Sequence, residues 1–283
     1  MSGGVVYRRW LRDRARSTLV WTVGVVLIVV ASAAFYPSLS GASGGGLGSG
    51  GSAMSSLLGL SKGIDPGSPL GFLWISLYAN IYPWMLMALG VALGVAAIAG
   101  DEETGALEYL LAKPVTRTTV AFARFAGAVT ILLVVSVFSG LALVLSLPLF
   151  DLNQATTSTA ADGSKVISPG ATAIDIFNGT FSSFAVALGL AGVAFLIGAI
   201  TGRKGVALGG ASAFGIGGYV LYTLSNMTGS LKPLTWISPW RWYVDDAMAV
   251  YGLTWNVVLP FAGAVVGFLI GWWAFLRRDL QNP

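Results

Sequence analysis

The side chains that carry most protein chemistry are either missing from this 283-residue sequence or sparse in it. There is no histidine and no cysteine, which excludes disulfide scaffolds, thiol nucleophiles, zinc sites built on Cys or His, and any Ser-His-Asp triad. Asp, Glu, Lys and Arg together make up 10% of the chain, against about 25% in soluble domains. We therefore expect no catalytic residue, no metal site and no cofactor-binding site in this chain.

The most informative charged residues form an acidic run that leads into a leucine-rich stretch, within residues 101–117. The acids of this segment are Asp101, Glu102, Glu103 and Glu108. The first three suit the positive end of a helix dipole, and the leucines that follow at i, i+3 and i+4 spacing form one apolar face. These leucines are Leu107, Leu110 and Leu111. Because the helix ends at Pro114 and is too short to span a membrane, its apolar face needs a surface to dock on, either the protein's own bundle or a soluble partner.

The membrane spans that must position this helix can be predicted from the stretches of sequence that contain none of the 28 charged residues. Six charge-free windows of at least 26 residues separate the charge clusters, and about 20 apolar residues suffice for a helix to cross a bilayer. The predicted spans are about 17–36, 72–99, 125–149, 177–200, 205–224 and 255–276. The fold class is therefore an all-α polytopic membrane protein of one domain, residues 1–283, with six transmembrane helices.

The orientation of the spans is predicted from the positive-inside rule. Twelve Lys and Arg residues fall on the side of the N-terminus and four on the other side, so both termini are expected in the cytoplasm. A cleaved signal peptide is the competing interpretation of the N-terminus. The apolar run after the N-terminal arginines is, however, long for a signal peptide. The Gly/Ser-rich stretch 40–56 indicates a flexible loop after the first span.

Two segments outside the spans have patterns of their own. Tyr7, Trp10 and Leu11 recur at helical spacing among arginines, which predicts an interfacial helix at about 5–16. The external segment 225–254 is rich in Trp and Tyr, which favour the head-group level. Its residues predicted for an external gate are Trp236, Ser238, Pro239 and Trp240. An aromatic belt that only anchors the last two spans is the alternative.

The interiors of the spans contain no ionisable Asp, Glu, Lys or Arg. This absence disfavours an ion-coupled carrier, and any substrate pathway must be lined by uncharged groups. The candidate pathway residues are Tyr78, Asn80, Tyr82, Ser183, Tyr219 and Tyr222. Such a lining suits an amphipathic, drug-like or lipid-like substrate. Glycine pairs at four-residue spacing indicate close helix contacts, within the chain or across a dimer.

The segment after the second span resembles a known family. Its run of acids, then Thr104-Gly105-Ala106-Leu107-Glu108 and Lys113-Pro114-Val115, looks like the cytoplasmic loop between spans 2 and 3 of the type-2 permeases of ATP-binding-cassette (ABC) exporters. That family also has six spans with both ends inside, an interfacial helix, and a Ser-Pro element before the last span, here Ser238-Pro239. Ala106 departs from the Thr that the family often has.

The resemblance implies that residues 101–117 contain the coupling helix, which sits in a cleft of the ATPase. It also implies two permease chains, identical or different, working with two ABC ATPase subunits in the inner (plasma) membrane of a prokaryote. No Gly-x-x-x-x-Gly-Lys-Ser/Thr motif occurs in the sequence, so ATP and Mg are expected on the partner ATPase. The expected activity is efflux, and no nucleic acid is expected as a partner.

Three alternatives to an ABC permease remain open at this point. An ATP-independent carrier or channel is disfavoured by the uncharged spans. An intramembrane enzyme would need an acid pair or a Ser/Lys dyad within the bundle, which no span interior supplies. A structural membrane anchor is the third.

Overall fold

The computed structural model of the protein describes residues 2–40, 64–65, 67–159 and 165–278. Six of its helical runs are long and apolar enough to cross a membrane: Gly3–Ser38, Pro69–Ala97, Arg117–Ser146, Ala173–Thr201, Lys204–Asn226 and Trp255–Arg277. The predicted all-α fold with six spans is thereby confirmed. Apart from its first residue, the Gly/Ser-rich stretch 40–56 lies outside the described residues.

The described helices follow one another along the chain with few other elements. The α-helices are α1 (Gly3–Ala34), α2 (Tyr36–Ser40), α3 (Pro69–Leu73), α4 (Tyr82–Ala97), α5 (Ala99–Glu103), α6 (Ala106–Leu111), α7 (Arg117–Ser146), α8 (Ala173–Thr201), α9 (Lys204–Met227), α10 (Pro239–Val244), α11 (Met248–Tyr251) and α12 (Val258–Arg277). A π-helix, Trp74–Ile81, joins α3 to α4. The 3₁₀ helices Gly229–Ile237 and Trp255–Val257 precede α10 and α12.

A two-stranded hairpin between α7 and α8 was not predicted. Strand β1 (Thr156–Thr159) pairs antiparallel with β2 (Lys165–Ser168), with Thr156 opposite Ser168. The following helix, α8, begins at a capping box. The Thr172 hydroxyl accepts a hydrogen bond from the backbone N–H of Asp175, and the Asp175 carboxylate accepts one from the backbone N–H of Thr172.

The first span and the predicted interfacial helix form one continuous helix, α1. No Gly or Pro interrupts residues 5–23, so nothing in the sequence breaks the helix between the two predicted segments. Thirty-two residues make a helix of about 48 Å, longer than the hydrocarbon core. Its first turns run alongside α7: the Tyr7 hydroxyl lies 2.9 Å from the Thr130 hydroxyl, and the Trp10 ring packs on Gly127.

Helix α8 lies at the centre of the bundle and packs against α4, α7, α9 and α12. A Cβ added to Gly90 or Gly94 would fall 2.4 or 2.3 Å from a carbonyl oxygen of α8. A Cβ added to Gly267 of α12 would likewise fall 2.7 Å from the carbonyl oxygen of Gly192 on α8. These glycines allow the backbones to approach closely within the chain, whereas Gly205, Gly209 and Gly263 face open space.

The bundle has two chemically different ends. We call the end that contains α5, α6 and the arginines of neighbouring helices the basic end; its arginines are Arg14, Arg117, Arg124 and Arg278. We call the opposite half, where α10 and the π-helix meet, the aromatic end; its rings include Tyr78, Trp84, Trp240 and Tyr243.

Candidate functional site

At the basic end, the predicted coupling segment forms two short helices with a sharp turn between them. Gly105 joins α5 to α6 with a φ of 71°, a left-handed conformation that costs glycine little and other residues more. The Thr104-Gly105 step therefore ends the first helix and redirects the chain. As a result, two acids of α5 meet arginines, whereas the leucines of α6 meet apolar side chains.

Two of the predicted carboxylates form ion pairs within the chain. Asp101 lies 2.7 Å from the guanidinium of Arg124 on α7, and that guanidinium also donates to the carbonyl of Ala97 at 3.0 Å. Glu102, only 3% exposed, pairs with Arg278 at the end of α12. The segment is thus tied by charge to the third and sixth spans.

The leucine face of α6 docks on the protein's own bundle, which is one of the two surfaces that its pattern required. Leu107 is fully buried in a cluster that includes Ile98, Phe195 and Phe275. Leu110 and Leu111 are half-buried against the same cluster, and Glu108 is half-buried as well. These leucines fix the position of α6 on the bundle.

The surface that the segment presents outward consists of other residues. Glu103 is exposed, and Tyr109 is 81% exposed although it was not among the predicted residues. Tyr109 lies opposite Leu107 on the helix, two residues further along the chain. A helical wheel of α6 would have identified it as the residue least able to contact the bundle.

At the aromatic end, a fully buried phenol joins α10 to the second span. The Tyr243 hydroxyl donates to the backbone carbonyl of Tyr78 at 2.6 Å and lies 2.8 Å from the hydroxyl of Ser183. Burial raises the pKa of this phenol, so it stays neutral and keeps the proton that it donates. Sequence reasoning placed Tyr243 in the aromatic segment but not at a site.

The π-helix explains why the carbonyl of Tyr78 accepts this bond. The N–H of Tyr82 donates to the carbonyl of Leu77, five residues back. In that register the next donor would be residue 83, but proline has no N–H. The carbonyl of Tyr78 therefore lacks its helical donor, and the Tyr243 hydroxyl supplies one. Single π turns of this kind often occur at functional sites.

Three of the six predicted pathway residues lie in this buried cluster. The Tyr78 hydroxyl donates to the backbone carbonyl of Ile176 and lies 3.1 Å from the hydroxyl of Thr180. The Tyr82 hydroxyl lies 2.8 Å from that of Ser139. With Ser183, these side chains are buried and join α4, α7 and α8 through neutral hydrogen bonds.

The other three predicted pathway residues lie elsewhere. Asn80 donates to the carbonyl of Ile75 in its own helix. Tyr219 makes edge contacts with the Trp84 and Trp240 rings, and Tyr222 donates to Asp245 at 2.7 Å. Whether any of the six contacts a substrate stays a prediction.

The predicted gate residues divide into three that contact the bundle and one on the surface. Ser238 caps the start of α10 and donates to the carbonyl of Gly218 at 2.8 Å. Trp240 is fully buried and donates to the carbonyl of Gly215 at 3.0 Å, while Pro239 packs against α9. Trp236 is half exposed beneath the Arg241 guanidinium.

A lateral apolar cavity of about 370 Å³ adjoins the buried hydroxyls, between α7 and α8. Phe177, Phe181 and Phe184 form one wall. Thr180, which contacts Tyr78, also lines it, as does the buried Ser136. The cavity thus combines an apolar wall with a few uncharged polar groups, a lining that suits small amphipathic molecules.

Comparison with known proteins agrees with the resemblance of the coupling segment. No curated protein matches the chain significantly. The family described as ABC-2 family transporter protein matches residues 5–280, nearly the whole chain. The protein therefore belongs to the ABC-2 family and is a membrane-spanning permease component of an ABC transporter.

Proposed function

We propose that this permease works as an exporter whose basic end faces the cytoplasm and receives a separate ABC ATPase. The twelve-to-four bias of Lys and Arg toward that end supports the orientation. The observation that carries the proposal is the geometry of the coupling segment: Asp101, Glu102 and the leucines bind the bundle of the same chain, while Glu103 and Tyr109 face outward. An exposed aromatic ring beside a carboxylate is a suitable anchor for a partner's cleft.

In the proposed mechanism, the ion pairs transmit the movement of the ATPase. When the two ATPase subunits close on ATP, α5 and α6 move with them. Asp101 then displaces α7 through Arg124, and Glu102 displaces α12 through Arg278. Because Leu107 is fully buried, α6 cannot slide over the bundle independently. The segment therefore acts as a rigid connection to two spans.

At the other end, α10 serves as the external gate of the proposed exporter. Tyr243 and Trp240 hold it against the π-helix, α8 and α9 with neutral hydrogen bonds. The substrate is an uncharged or weakly charged amphipathic molecule, since the lateral cavity and the buried hydroxyls offer no charge to it. A second permease chain, identical or different, completes the pathway; the open small-residue face of α9 at Gly205 and Gly209 is a suitable contact for it.

The test of ATPase coupling uses outward-facing residues that make no ion pair among the described residues. Glu103→Lys with Tyr109→Ala is expected to abolish co-purification of the ATPase and ATP-dependent transport in proteoliposomes. The same variant should keep the thermal stability of the wild-type permease, because both side chains are exposed. Asn153→Lys with Trp255→Ala, exposed residues near the other end, is the matched control and should transport normally.

Two results would reject this proposal. The first is unchanged ATPase binding and unchanged transport in the Glu103→Lys, Tyr109→Ala variant. The second is transport by the purified permease alone in liposomes without ATP, which would identify an ATP-independent carrier or channel instead.

A further inference from the structure

A second cavity of about 370 Å³ lies at the basic end, between the first turns of α1 and the coupling segment. Its lining is strongly charged, unlike that of the lateral cavity. The charged residues in its wall are Arg9, Asp13, Arg14, Asp101, Lys113 and Arg124. Four of these are basic and two are acidic, so the wall has a net charge of +2.

The acids in this wall are already engaged by two of the arginines. Asp101 pairs with Arg124 at 2.7 Å, and Asp13 lies 3.9 Å from Arg9. In the described part of the chain, neither Arg14 nor Lys113 forms an ion pair. The charges of Asp101 and Asp13 also act on Arg14, but two acids cannot balance four basic residues, so the wall keeps an excess of positive charge.

Hydrogen-bond donors in the wall also exceed the acceptors. Trp10 and Arg124 both line the cavity and are each 4% exposed. The indole Nε1 of Trp10 and the Nε of Arg124 are buried without an acceptor among the described residues. Buried donors normally have a partner, so two such donors in a wall with a net charge of +2 indicate that an anionic acceptor is missing.

The position of the cavity favours a lipid as the source of that anion. The charge-free stretches of the first and third spans begin at Ser17 and Phe125, within one turn of Arg14 and Arg124. The cavity therefore lies where the charged ends of the spans give way to their apolar parts. Arg14 stacks on the Trp10 ring, with its guanidinium carbon 4.1 Å from the ring centroid, and Trp favours the head-group level of a membrane.

We propose that this cavity binds the phosphate of an anionic phospholipid, with Arg14 and Lys113 as its cationic partners and Trp10 as a donor. The proposal does not depend on ATP, on the direction of transport or on the ATPase. Arg14 belongs to α1, while Lys113 follows α6 in the coupling segment. The bound head group thus joins the first span to the coupling segment.

The binding test uses the full-length permease in nanodiscs of phosphatidylcholine with increasing fractions of phosphatidylglycerol. Retention of phosphatidylglycerol is measured by native mass spectrometry, and the thermal midpoint is measured in parallel. Arg14→Gln and Lys113→Gln should each weaken retention about fivefold, and together about 25-fold, because one basic residue near an anionic lipid contributes about that factor.

The matched controls are Arg12→Gln and Arg16→Gln, which remove the same charge from the same helix. Both side chains are exposed and do not line the cavity. They should change retention less than twofold. Equal weakening by test and control variants would overturn the proposal, because it would show diffuse surface attraction rather than a site. If Arg14→Gln fails to fold, the exposed Lys113 still provides the comparison.

A second arm separates a lipid from a soluble phosphate. Inorganic phosphate and glycerol 3-phosphate are added to the permease in pure phosphatidylcholine nanodiscs. The proposal expects no rise in the thermal midpoint at millimolar concentration. A rise that disappears in Arg14→Gln would show that the site takes a free anion, and the lipid assignment would then be wrong.

Discussion

The basic end and the aromatic end hold the helix bundle together by different chemistry. At the basic end, carboxylates and guanidinium groups connect the coupling segment to α7 and α12. At the aromatic end, phenol and serine hydroxyls, the indole N–H of Trp240 and tilted ring contacts connect α10 to the π-helix, α4, α8 and α9. No ion pair among the described residues joins α10 to a span.

The difference matters because the two kinds of contact break at different cost. Removing one partner of a buried ion pair leaves an uncompensated charge and costs about 3–5 kcal/mol. A neutral hydrogen bond contributes about 1 kcal/mol, and its groups can re-form bonds with water when a gate opens. The proposed mechanism needs such a division, since the end that receives the ATPase must move as a unit while the other end opens and closes.

The largest expected effect comes from breaking the ion pair of Glu102. Glu102→Gln should lower the free energy of unfolding by about 3 kcal/mol or more, because the guanidinium of Arg278 stays partly buried without its carboxylate. Thermal unfolding in mild detergent measures this loss. Glu103→Gln, the exposed neighbour, should change stability by less than about 0.5 kcal/mol.

Charge exchange provides the control for this first prediction. Glu102→Arg combined with Arg278→Glu should recover part of the stability that Glu102→Arg alone loses. If Glu102→Gln and Glu103→Gln behave alike, the claim that charge fastens the basic end is wrong.

A smaller effect is expected from the central hydrogen bond of the aromatic end. Tyr243→Phe removes the hydroxyl that satisfies the carbonyl of Tyr78, and leaving a buried acceptor without a donor costs about 1–3 kcal/mol. Hydrogen exchange should become faster in residues 74–82 and 239–244. Tyr219→Phe is the matched control in the same region, since the Tyr219 hydroxyl has no hydrogen bond to a described residue; it should leave both exchange and unfolding unchanged.

The fold was largely predictable because the bilayer restricts it. Charge-free windows had to hold the spans, and each window overlaps one of the six described helices that are long and apolar enough to cross a membrane. The hairpin was missed because its strands are short and show no apolar alternation: β1 contains only Thr and Ser, and the two apolar residues of β2 are adjacent. The continuity of α1 was missed because a change from charged to apolar residues does not interrupt a helix.

The site was only partly predictable, because its contacts join distant parts of the chain. The leucine spacing of α6 revealed an apolar face, but spacing does not say whether the bundle or a partner covers that face. The pairs Glu102–Arg278 and Tyr243–Tyr78 lie 176 and 165 residues apart. A single sequence contains no signal for such pairings, and the proline at position 83 leaves the Tyr78 carbonyl without a donor only in the π register, which the sequence did not predict.

That role of Pro83 gives a sharper test of the aromatic end. Pro83→Ala restores a backbone N–H, which can donate to the carbonyl of Tyr78 in the π register. In the Tyr243→Phe background, Pro83→Ala should therefore recover about 1 kcal/mol of the lost stability. A double-mutant cycle of unfolding free energies measures this coupling. Strict additivity of the two substitutions would show that the missing helical donor is not what Tyr243 replaces.

The smallest effect is expected where charge is present but exposed, at Asp13. Asp13 and Arg9 are four residues apart on α1, 3.9 Å from each other, with side chains more than 60% exposed. An exposed pair of this kind contributes less than about 0.5 kcal/mol. Asp13→Asn should therefore leave the thermal midpoint unchanged at both low and high salt.

Asp101→Asn is the comparison for Asp13→Asn, since it removes the same charge from the same end. Its carboxylate lies 2.7 Å from the buried Arg124, so the substitution should destabilise the protein by several times as much. Equal effects would mean that net charge at the basic end, rather than burial of particular pairs, holds the coupling segment. A larger loss for Asp101 would instead locate the stability in the particular ion pairs that set this end apart from the aromatic one.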